Sequence, residues 1–199
     1  MTIIDKLELR RRLLKQRRSL DRPARERLSA RIAQHVCDSA AFIESKSLAA
    51  YLPFANEVDA LPVIEAAWRY GKTVAIPAVG ETGNMRFLRY DSTTPLRRNA
   101  FGIDEPAAAP DQVAFGPDQL DLVLVPLLGF DRNGYRLGMG GGYYDRFFAR
   151  SIHRQQRDSV KLLGLAYDFQ QLDTLPVESW DVPLDAVATE AGITIFTAN

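Results

Sequence analysis

The chain has 199 residues, of which 46% are hydrophobic and 25% charged, the composition of an ordinary globular protein. Its apolar content excludes a mainly disordered chain, and the single cysteine excludes a disulfide scaffold. No apolar run approaches the roughly 20 residues of a bilayer-spanning helix, and no secretory segment lies near the start, so we expect a cytoplasmic protein.

The net charge of zero hides an uneven distribution along the chain. Residues 1–27 hold ten Lys and Arg and four Asp and Glu, so this segment carries +6 and the remainder carries −6. Such a basic segment is typical of a nucleic-acid or other polyanion binder, of a solvated helix face, or of a site where one or two cations meet a small phosphate ligand. The charges alone leave all three interpretations open.

Helices are predicted at the start of the chain. Residues 2–19 are rich in Leu, Lys, Arg and Glu and lack Gly and Pro, which predicts a helix with Thr2 and Asp5 in its capping arrangement. Lys6 and Arg10 are four residues apart and therefore share one face of this helix. Residues 21–23 break it and begin a second helix, which we expect to run to about residue 45.

Short apolar runs then alternate with helical patterns. We predict strands over 47–53, 73–79, 85–90, 122–128, 161–167, 186–189 and 193–196. Helices are predicted over 60–70, with Gly71 as the cap, and over about 142–156, and residues 91–119 are expected to form a long loop. This order predicts an α/β fold, a three-layer Rossmann-like, mostly parallel sheet with helices on both faces. Ligands bind such sheets beyond the carboxyl ends of the strands.

The most informative stretch is 128–148, LGFDRNGYRLGMGGGYYDRFF, which follows the most apolar predicted strand. Its glycines at 138, 140, 141 and 142 permit positive φ and close backbone approach, and the helix N-terminus after them favours an anion. The spacing fits neither a dinucleotide fingerprint nor a Walker loop. On the glycines alone, a turn without a ligand remains an alternative.

The neighbours of the glycines favour a nucleotide site. Arg136 precedes them as a cation for phosphate, and Asp145 follows them as a carboxylate for Mg²⁺, which prefers carboxylates together with phosphate oxygens. Tyr143 and Tyr144 offer rings that stack on a flat heterocycle. A cation, a glycine nest and a carboxylate within ten residues predict an ATP–Mg²⁺ site.

These residues resemble the 5-formyltetrahydrofolate cyclo-ligase family, also called methenyltetrahydrofolate synthetase. The motif that carries the resemblance runs from Phe130-Asp131 through Gly134-Tyr135-Arg136-Leu137 and the glycines to Tyr143-Tyr144-Asp145-Arg146. Four further stretches agree in order: Lys6-x-x-x-Arg10, Tyr51-Leu52-Pro53 with Glu57-Val58, residues 101–106, and Gly164 through Gln170, Leu175-Pro176 and Asp181 to Thr189-Glu190. The resemblance implies a single cyclo-ligase domain over 1–199, with N-terminal helices in 1–45 and an α/β core in 46–199.

The resemblance implies an ATP- and Mg²⁺-dependent conversion of 5-formyltetrahydrofolate to 5,10-methenyltetrahydrofolate, ADP and phosphate. It implies catalytic roles for Lys6, Arg10 and Arg136. The implied ATP-binding residues are these three with Leu137, Gly138, Met139, Gly140, Gly141, Gly142, Tyr143 and Tyr144. The implied substrate-binding residues are Arg10, Leu52, Glu57, Met139, Gly140, Gly141, Gly142 and Tyr143. Asp145 and Asp181 correspond to the Mg²⁺ positions.

One residue departs from the pattern. Many family members carry a basic or larger polar side chain where this sequence has Met139, and the departure implies weaker ATP binding if that side chain contacts phosphate. As partners we expect 5-formyltetrahydrofolate, including polyglutamylated forms, and ATP, with no nucleic acid and no membrane, for a protein that is a monomer.

Each assignment has a purely structural alternative. Lys6 and Arg10 could form a solvated helix face, Glu57 could cap the following helix, Asp181 could be a turn residue, and Asp145 could cap a helix or pair with an arginine. Trp68 and Trp180 are interpreted as packing residues. At the level of function, the alternatives are a polyanion binder, an isomerase or CoA-transferase-like enzyme on a similar sheet, and a family member with altered activity.

Overall fold

The structure, a computed structural model, describes residues 5–80, 83–107, 112–152 and 160–196, with residues 150–152 described by their backbone. The helices are α1 (Lys6–Ser19), α2 (Arg22–Cys37), α3 (Ala40–Glu44), α4 (Leu61–Arg69) and α5 (Tyr143–Ile152). The first seven strands are β1 (Ser47–Ala49), β2 (Thr73–Val79), β3 (Met85–Arg89), β4 (Leu96–Arg98), β5 (Asp104–Pro106), β6 (Ala114–Phe115) and β7 (Leu122–Pro126). The others are β8 (Gly129–Asp131), β9 (Arg136–Leu137), β10 (Lys161–Leu165), β11 (Gln171–Leu172), β12 (Ala186–Thr189) and β13 (Gly192–Ile195).

The N-terminal helices begin at side-chain caps. Asp5 caps α1 by accepting a hydrogen bond from the backbone N–H of Leu7, while Thr2 lies outside the described residues. The predicted second helix to residue 45 is wrong in one respect, because it is divided into α2 and α3. The division falls at Ser39, whose hydroxyl accepts from Phe42 N–H and starts a new helix.

Eight strands form the main sheet in the order β13-β12-β10-β7-β1-β2-β3-β6. The five central strands, from β12 to β2, pair in parallel, and the outer strands pair antiparallel. Strand β1 lies between β2 and β7, so the chain moves outward from it in one direction through β2 and in the other through β7, β10 and β12. The carboxyl ends of β1 and β7 therefore flank a topological switch point, where α/β sheets bind ligands.

Both faces of the sheet are buried. Along β1 and β7 alternate residues belong to different clusters: Leu48 and Leu124 pack beneath α2, α3 and α4, whereas Ala49 and Val125 pack on the other side beneath Phe148 of α5. A third cluster joins α1 to the segment around Leu128. The predicted three-layer α/β fold is confirmed. None of the helices in the described ranges is long and apolar enough to cross a membrane.

Several predicted boundaries and one predicted loop are wrong. Strand β1 ends at Ala49 rather than at residue 53, because the chain leaves the sheet there and enters a turn with positive φ at Ala55 and Asn56. β7 and β10 each end two residues earlier than expected. The expected loop over 91–119 contains the β4–β5 hairpin, joined by ion pairs from Arg97 and Arg98, and also β6. The predicted end of α5, residues 153–156, lies outside the described residues.

Candidate functional site: two cavities that share a glycine loop

The glycine loop, residues 138–142, joins β9 to α5. Gly140 and Gly142 have φ of +104° and +62°, values that side chains rarely adopt, so the glycines at these two positions are required by the backbone. The carbonyl oxygen of Gly138 accepts a hydrogen bond of 2.9 Å from Arg10 Nε of α1. A Cβ atom on Gly140 would lie 3.6 Å from the same guanidinium, in ordinary contact. The N-terminal helix therefore packs directly on the loop.

On one side of this loop lies a first cavity of about 420 Å³, at the carboxyl ends of β1, β2 and β7. Its walls are mostly apolar, as expected of a small-molecule site. From the sheet side it is lined by Tyr51, Leu52, Phe54, Glu57, Ile76, Pro77, Val79, Met85, Pro126 and Leu127. From the β4–β5 hairpin come Asn99, Phe101, Ile103, Asp104 and Glu105, and from the loop side Arg136, Gly138, Met139, Gly140, Gly141, Gly142, Tyr143, Tyr144 and Asp145.

The hairpin wall is fixed by a buried carboxylate. Glu105 is 1% exposed and accepts hydrogen bonds from Val79 N–H, Asn99 Nδ2 and Arg97 Nη2, each at 3.0 Å. These bonds satisfy the buried charge and tie β5 to β2. They hold Phe101 beside the loop, where its ring packs edge-on against Tyr143.

Glu57 lines the first cavity, and buried Arg17 is its counter-charge. Glu57 Oε2 accepts from Phe54 N–H at 3.1 Å, and Glu57 Oε1 lies 3.8 Å from Arg17 Nη1. Arg17 is 1% exposed and donates to the carbonyl oxygens of Ala55 and Leu127. The alternative that Glu57 caps α4 is not realised, because the N-cap of that helix is Ala60 and it is Asp59 that accepts from Leu61 N–H.

Burial governs the ionisation of this pair. It raises the pKa of Glu57 above its ordinary value, an effect that the Arg17 charge and the Phe54 hydrogen bond oppose. Burial lowers the pKa of Arg17, and the Glu57 charge opposes that shift. Each charge thus stabilises the ionised form of the other. A carboxylate held in a largely apolar cavity is suited to accept hydrogen bonds from ligand N–H groups.

On the other side of the loop lies a second cavity of about 490 Å³, whose lining carries four cations and three carboxylates and is therefore net cationic. It is lined by Lys6, Arg10, Arg136, Leu137, Gly138, Gly140, Gly141, Gly142, Asp145, Arg146, Ala149, Glu178, Trp180 and Asp181. Four cations and the backbone of a glycine loop are the features of a phosphate site. Trp180 is 65% exposed at its wall, so the prediction of a packing role for this residue is wrong.

Asp145 is engaged in ion pairing in this structure. Its Oδ1 atom lies 2.6 Å from Arg136 Nη2 and accepts from Val182 N–H at 3.2 Å. The second guanidinium nitrogen of Arg136 donates to the Val182 carbonyl oxygen. The arginine-pairing alternative for Asp145 is therefore realised, and it fixes Arg136 at the boundary of both cavities.

Asp181 lies in the same cavity and contacts Lys6. Its Oδ2 atom is 3.6 Å from Lys6 Nζ and accepts from Glu178 N–H at 2.9 Å, so it is also the turn residue of one alternative. No group of three or more His, Cys, Asp or Glu side chains that could hold a metal occurs in the described part of the chain. Asp145 and Asp181 would thus supply two carboxylates, the donor set with which Mg²⁺ is bound when phosphate and water complete its shell.

The residues that form these cavities lie within a segment that matches a known family. Residues 3–190 match the model of the 5-formyltetrahydrofolate cyclo-ligase family. The chain belongs to this family. A 5-formyltetrahydrofolate cyclo-ligase of Escherichia coli is 35% identical over 179 residues, covering 89% of this chain and 96% of that protein. The protein of the same name from Haemophilus influenzae is 37% identical over 155 residues, covering 77% and 80% of the two chains.

The fold comparison agrees with the family match. The solution structure of Aquifex aeolicus 5,10-methenyltetrahydrofolate synthetase superimposes with a TM-score of 0.79 and 33% sequence identity, over 98% of this chain and 94% of that one. The family is one of ligases, and its activity is an ATP-dependent reaction of 5-formyltetrahydrofolate. The resemblance stated from the motif is therefore confirmed.

The structure separates the residues to which the resemblance assigned ATP binding. Lys6, Arg10 and Leu137 line the second cavity, whereas Met139, Tyr143 and Tyr144 line the first. Arg136, Gly138, Gly140, Gly141, Gly142 and Asp145 line both. Leu52 and Glu57, assigned to the substrate, line the first cavity, while Arg10, assigned to both ligands, lines the second.

Sequence reasoning did not identify Arg17 or Trp180 as site residues. Arg17 is one of ten cations in the first 27 residues, and its spacing of four residues from Leu13 places it on the buried face of α1, unlike exposed Arg18, but does not indicate its partner. An arginine that is fully buried without a partner is rare, so burial beside Glu57 is the signal, and only the fold shows it. Arg10, Arg17 and Lys6 all contact other parts of the chain, which removes three charges from the proposed solvated or polyanion-binding face.

Proposed function

We propose that this chain converts 5-formyltetrahydrofolate to 5,10-methenyltetrahydrofolate with cleavage of ATP to ADP and phosphate. One observation carries the proposal: the same glycine loop forms a wall of a largely apolar cavity and of a cationic cavity. A flat, partly apolar folate fits the first, and a triphosphate fits the second. The shared loop then places the two reacting groups next to each other.

The chemistry requires this adjacency. The formyl oxygen attacks the γ-phosphorus of ATP, the bond from that phosphorus to the β-phosphate bridging oxygen breaks, and ADP leaves. Phosphorylation turns a poor leaving group into a good one and makes the formyl carbon electrophilic. N10 of the folate then attacks this carbon, the carbon–oxygen bond breaks to release phosphate, and N10 loses its proton. Most of the catalysis in such a transfer is positioning and charge neutralisation.

The cations of the second cavity supply the neutralisation. Lys6, Arg10 and Arg136 come from two separate parts of the chain and meet at the loop, so we assign them to the phosphates and to the transferring group. Asp145 and Asp181 would hold Mg²⁺, which when bound neutralises charge on phosphate oxygens. In the first cavity, the Glu57 carboxylate would accept hydrogen bonds from pterin N–H groups.

The proposal also covers the setting in which the protein acts. We assign the whole chain to a single domain, because α1 supplies Lys6 and Arg10 to a site whose other residues come from the α/β core. The protein is proposed to be a cytoplasmic monomer that accepts polyglutamylated as well as monoglutamylated 5-formyltetrahydrofolate.

An absorbance assay for the methenyl product tests the function. Purified protein is mixed with 5-formyltetrahydrofolate and Mg²⁺, with and without ATP, and product is expected only when ATP is present. Arg10→Met is expected to lower kcat/KM for ATP at least about tenfold, the effect of removing one charge-assisted contact. Arg11→Met, on the exposed side of the same helix, is the matched control and is expected to behave as wild type.

Two results would contradict the proposal. One is the absence of product from folded protein that still binds ATP, which would indicate a member of the family with a different reaction. The other is product formation at the same rate without ATP, which would remove the second cavity from the chemistry.

A further inference from the structure

One polar atom of the first cavity has no role in the folded protein. Tyr144 lines this cavity, and its hydroxyl oxygen is buried without a hydrogen-bond partner among the described residues. Buried tyrosine hydroxyls usually find a partner, because an unpaired buried polar group is unfavourable. An unpaired hydroxyl in the wall of a ligand cavity is therefore a candidate contact for the ligand.

The groups around this hydroxyl are already engaged. Burial raises the pKa of Tyr144, the charge of Glu57 raises it further, and the charge of Arg136 opposes the shift, so the hydroxyl stays protonated. Tyr51, whose pKa Tyr144 also affects, donates its own hydroxyl to the Val58 carbonyl oxygen at 2.9 Å. Glu57 accepts from the backbone and faces Arg17. Tyr144 is thus an unpaired donor in a cavity whose wall also carries the Glu57 carboxylate.

A donor and an acceptor in the wall of one cavity are complementary to a cyclic amide. Its carbonyl oxygen accepts a hydrogen bond and the adjacent ring N–H donates one. A pterin carries this edge in its pyrimidinone ring, together with an amino group that also donates. A purely apolar cavity would bind the ring without fixing which edge enters first.

We propose that Tyr144 donates a hydrogen bond to the pyrimidinone carbonyl oxygen of the folate while Glu57 accepts from the neighbouring N–H groups. This inference rests on the proposed function and assigns Tyr144 to the folate rather than to ATP, where the family resemblance placed it. The pair fixes the orientation of the pterin and so directs the formyl group towards the glycine loop. Tyr144 is accordingly a specificity-determining residue of the folate cavity.

The substitution Tyr144→Phe tests this assignment, since it removes the hydroxyl alone. Without ligand, the variant is expected to unfold at the same temperature as wild type or higher, because the lost oxygen has no partner. Equilibrium binding of 5-formyltetrahydrofolate, measured in the absence of ATP, is expected to weaken about 5- to 20-fold, the effect of one lost hydrogen bond. The Kd for ATP is expected to stay unchanged. Tyr70→Phe, at an exposed position, is the control and should alter neither Kd.

Each other outcome overturns the assignment. If the ligand-free variant unfolds at a lower temperature than wild type, the hydroxyl has a structural partner instead. If ATP binding falls and folate binding does not, Tyr144 belongs to the nucleotide. Because folate binding is measured without turnover, a protein that binds folate through Tyr144 but forms no methenyl product would refute the proposed reaction and leave this inference standing.

Discussion

Replacement of Arg17 by methionine probes its ion pair with Glu57, a residue of the first cavity. Methionine keeps the apolar length of the side chain but removes the guanidinium. The substitution deletes hydrogen bonds of 3.0 Å to the Ala55 carbonyl and 3.3 Å to the Leu127 carbonyl, and it leaves Glu57 buried without its counter-charge. Two charge-assisted hydrogen bonds contribute about 1.5–3 kcal/mol each. The substitution also removes the cost of burying the guanidinium, whose Nη2 has no hydrogen-bond partner among the described residues, and this offsets part of the loss.

We therefore expect Arg17→Met to lower the free energy of unfolding by about 3 kcal/mol at neutral pH. Urea denaturation at fixed pH measures this quantity. Arg18→Met, an exposed neighbour on the same helix, is the matched control and is expected to change the free energy by less than about 0.5 kcal/mol. If Arg17→Met lowers the free energy of unfolding by no more than Arg18→Met does, the assignment of a structural ion pair is refuted.

The pH dependence separates the ion pair from simple packing. Because folding raises the pKa of Glu57, its contribution to stability is present below the unfolded-state pKa and is lost as pH rises through the folded-state pKa. The charge of Arg17 reduces this loss of stability because it favours the ionised form of Glu57. The difference in free energy of unfolding between Arg17→Met and wild type should therefore be larger at pH 7 than at pH 4, where Glu57 is protonated in both proteins. An equal difference at the two pH values would contradict the account.

Four further predictions concern the two ligands. Glu57→Gln is expected to weaken 5-formyltetrahydrofolate binding at least about tenfold without changing the Kd for ATP, and titration calorimetry with each ligand checks this. Asp145→Asn should abolish Mg²⁺-dependent turnover while folate binding persists, and near-normal turnover across a Mg²⁺ titration would show that the metal assignment is wrong. In Trp68→Phe protein the remaining tryptophan is Trp180, so ATP should change its fluorescence; an unchanged spectrum at saturating ATP would remove Trp180 from the nucleotide site. Met139→Arg should change KM for the folate more than KM for ATP, because this position lines the first cavity; the opposite order would place it against phosphate.

Much of the fold could be predicted because the spacing of apolar residues and the positions of glycines agree with it. The strands over 73–79 and 186–189 have the predicted bounds, and the helix before Gly71 ends where a glycine with φ of +70° caps it. The β4–β5 hairpin was missed for a physical reason. Each residue of Leu96–Arg98 is exposed, and the hairpin depends on charged pairs and on Glu105, so it lacks the apolar alternation that marks a half-buried strand.

The site was predictable only as far as it is local in sequence. The four glycines between Arg136 and Tyr143 fall within five residues, so their motif identified the loop. It did not indicate that a cavity lies on each side of this loop. The distribution of residues between the two cavities depends on contacts across more than a hundred positions, such as Arg10 with Gly138. Arg17 shows the same limit, because the residues that bury it lie at 55–57 and 127.

In the proposed reaction the formyl oxygen, held in one cavity, receives the phosphoryl group of ATP held in the other. Substrate labelled with ¹⁸O in the formyl group tests this transfer. Each turnover is expected to give one phosphate carrying the label, observed by mass spectrometry or by the isotope shift in the phosphorus resonance. Unlabelled phosphate, with the label recovered in water or retained in the folate, would contradict it.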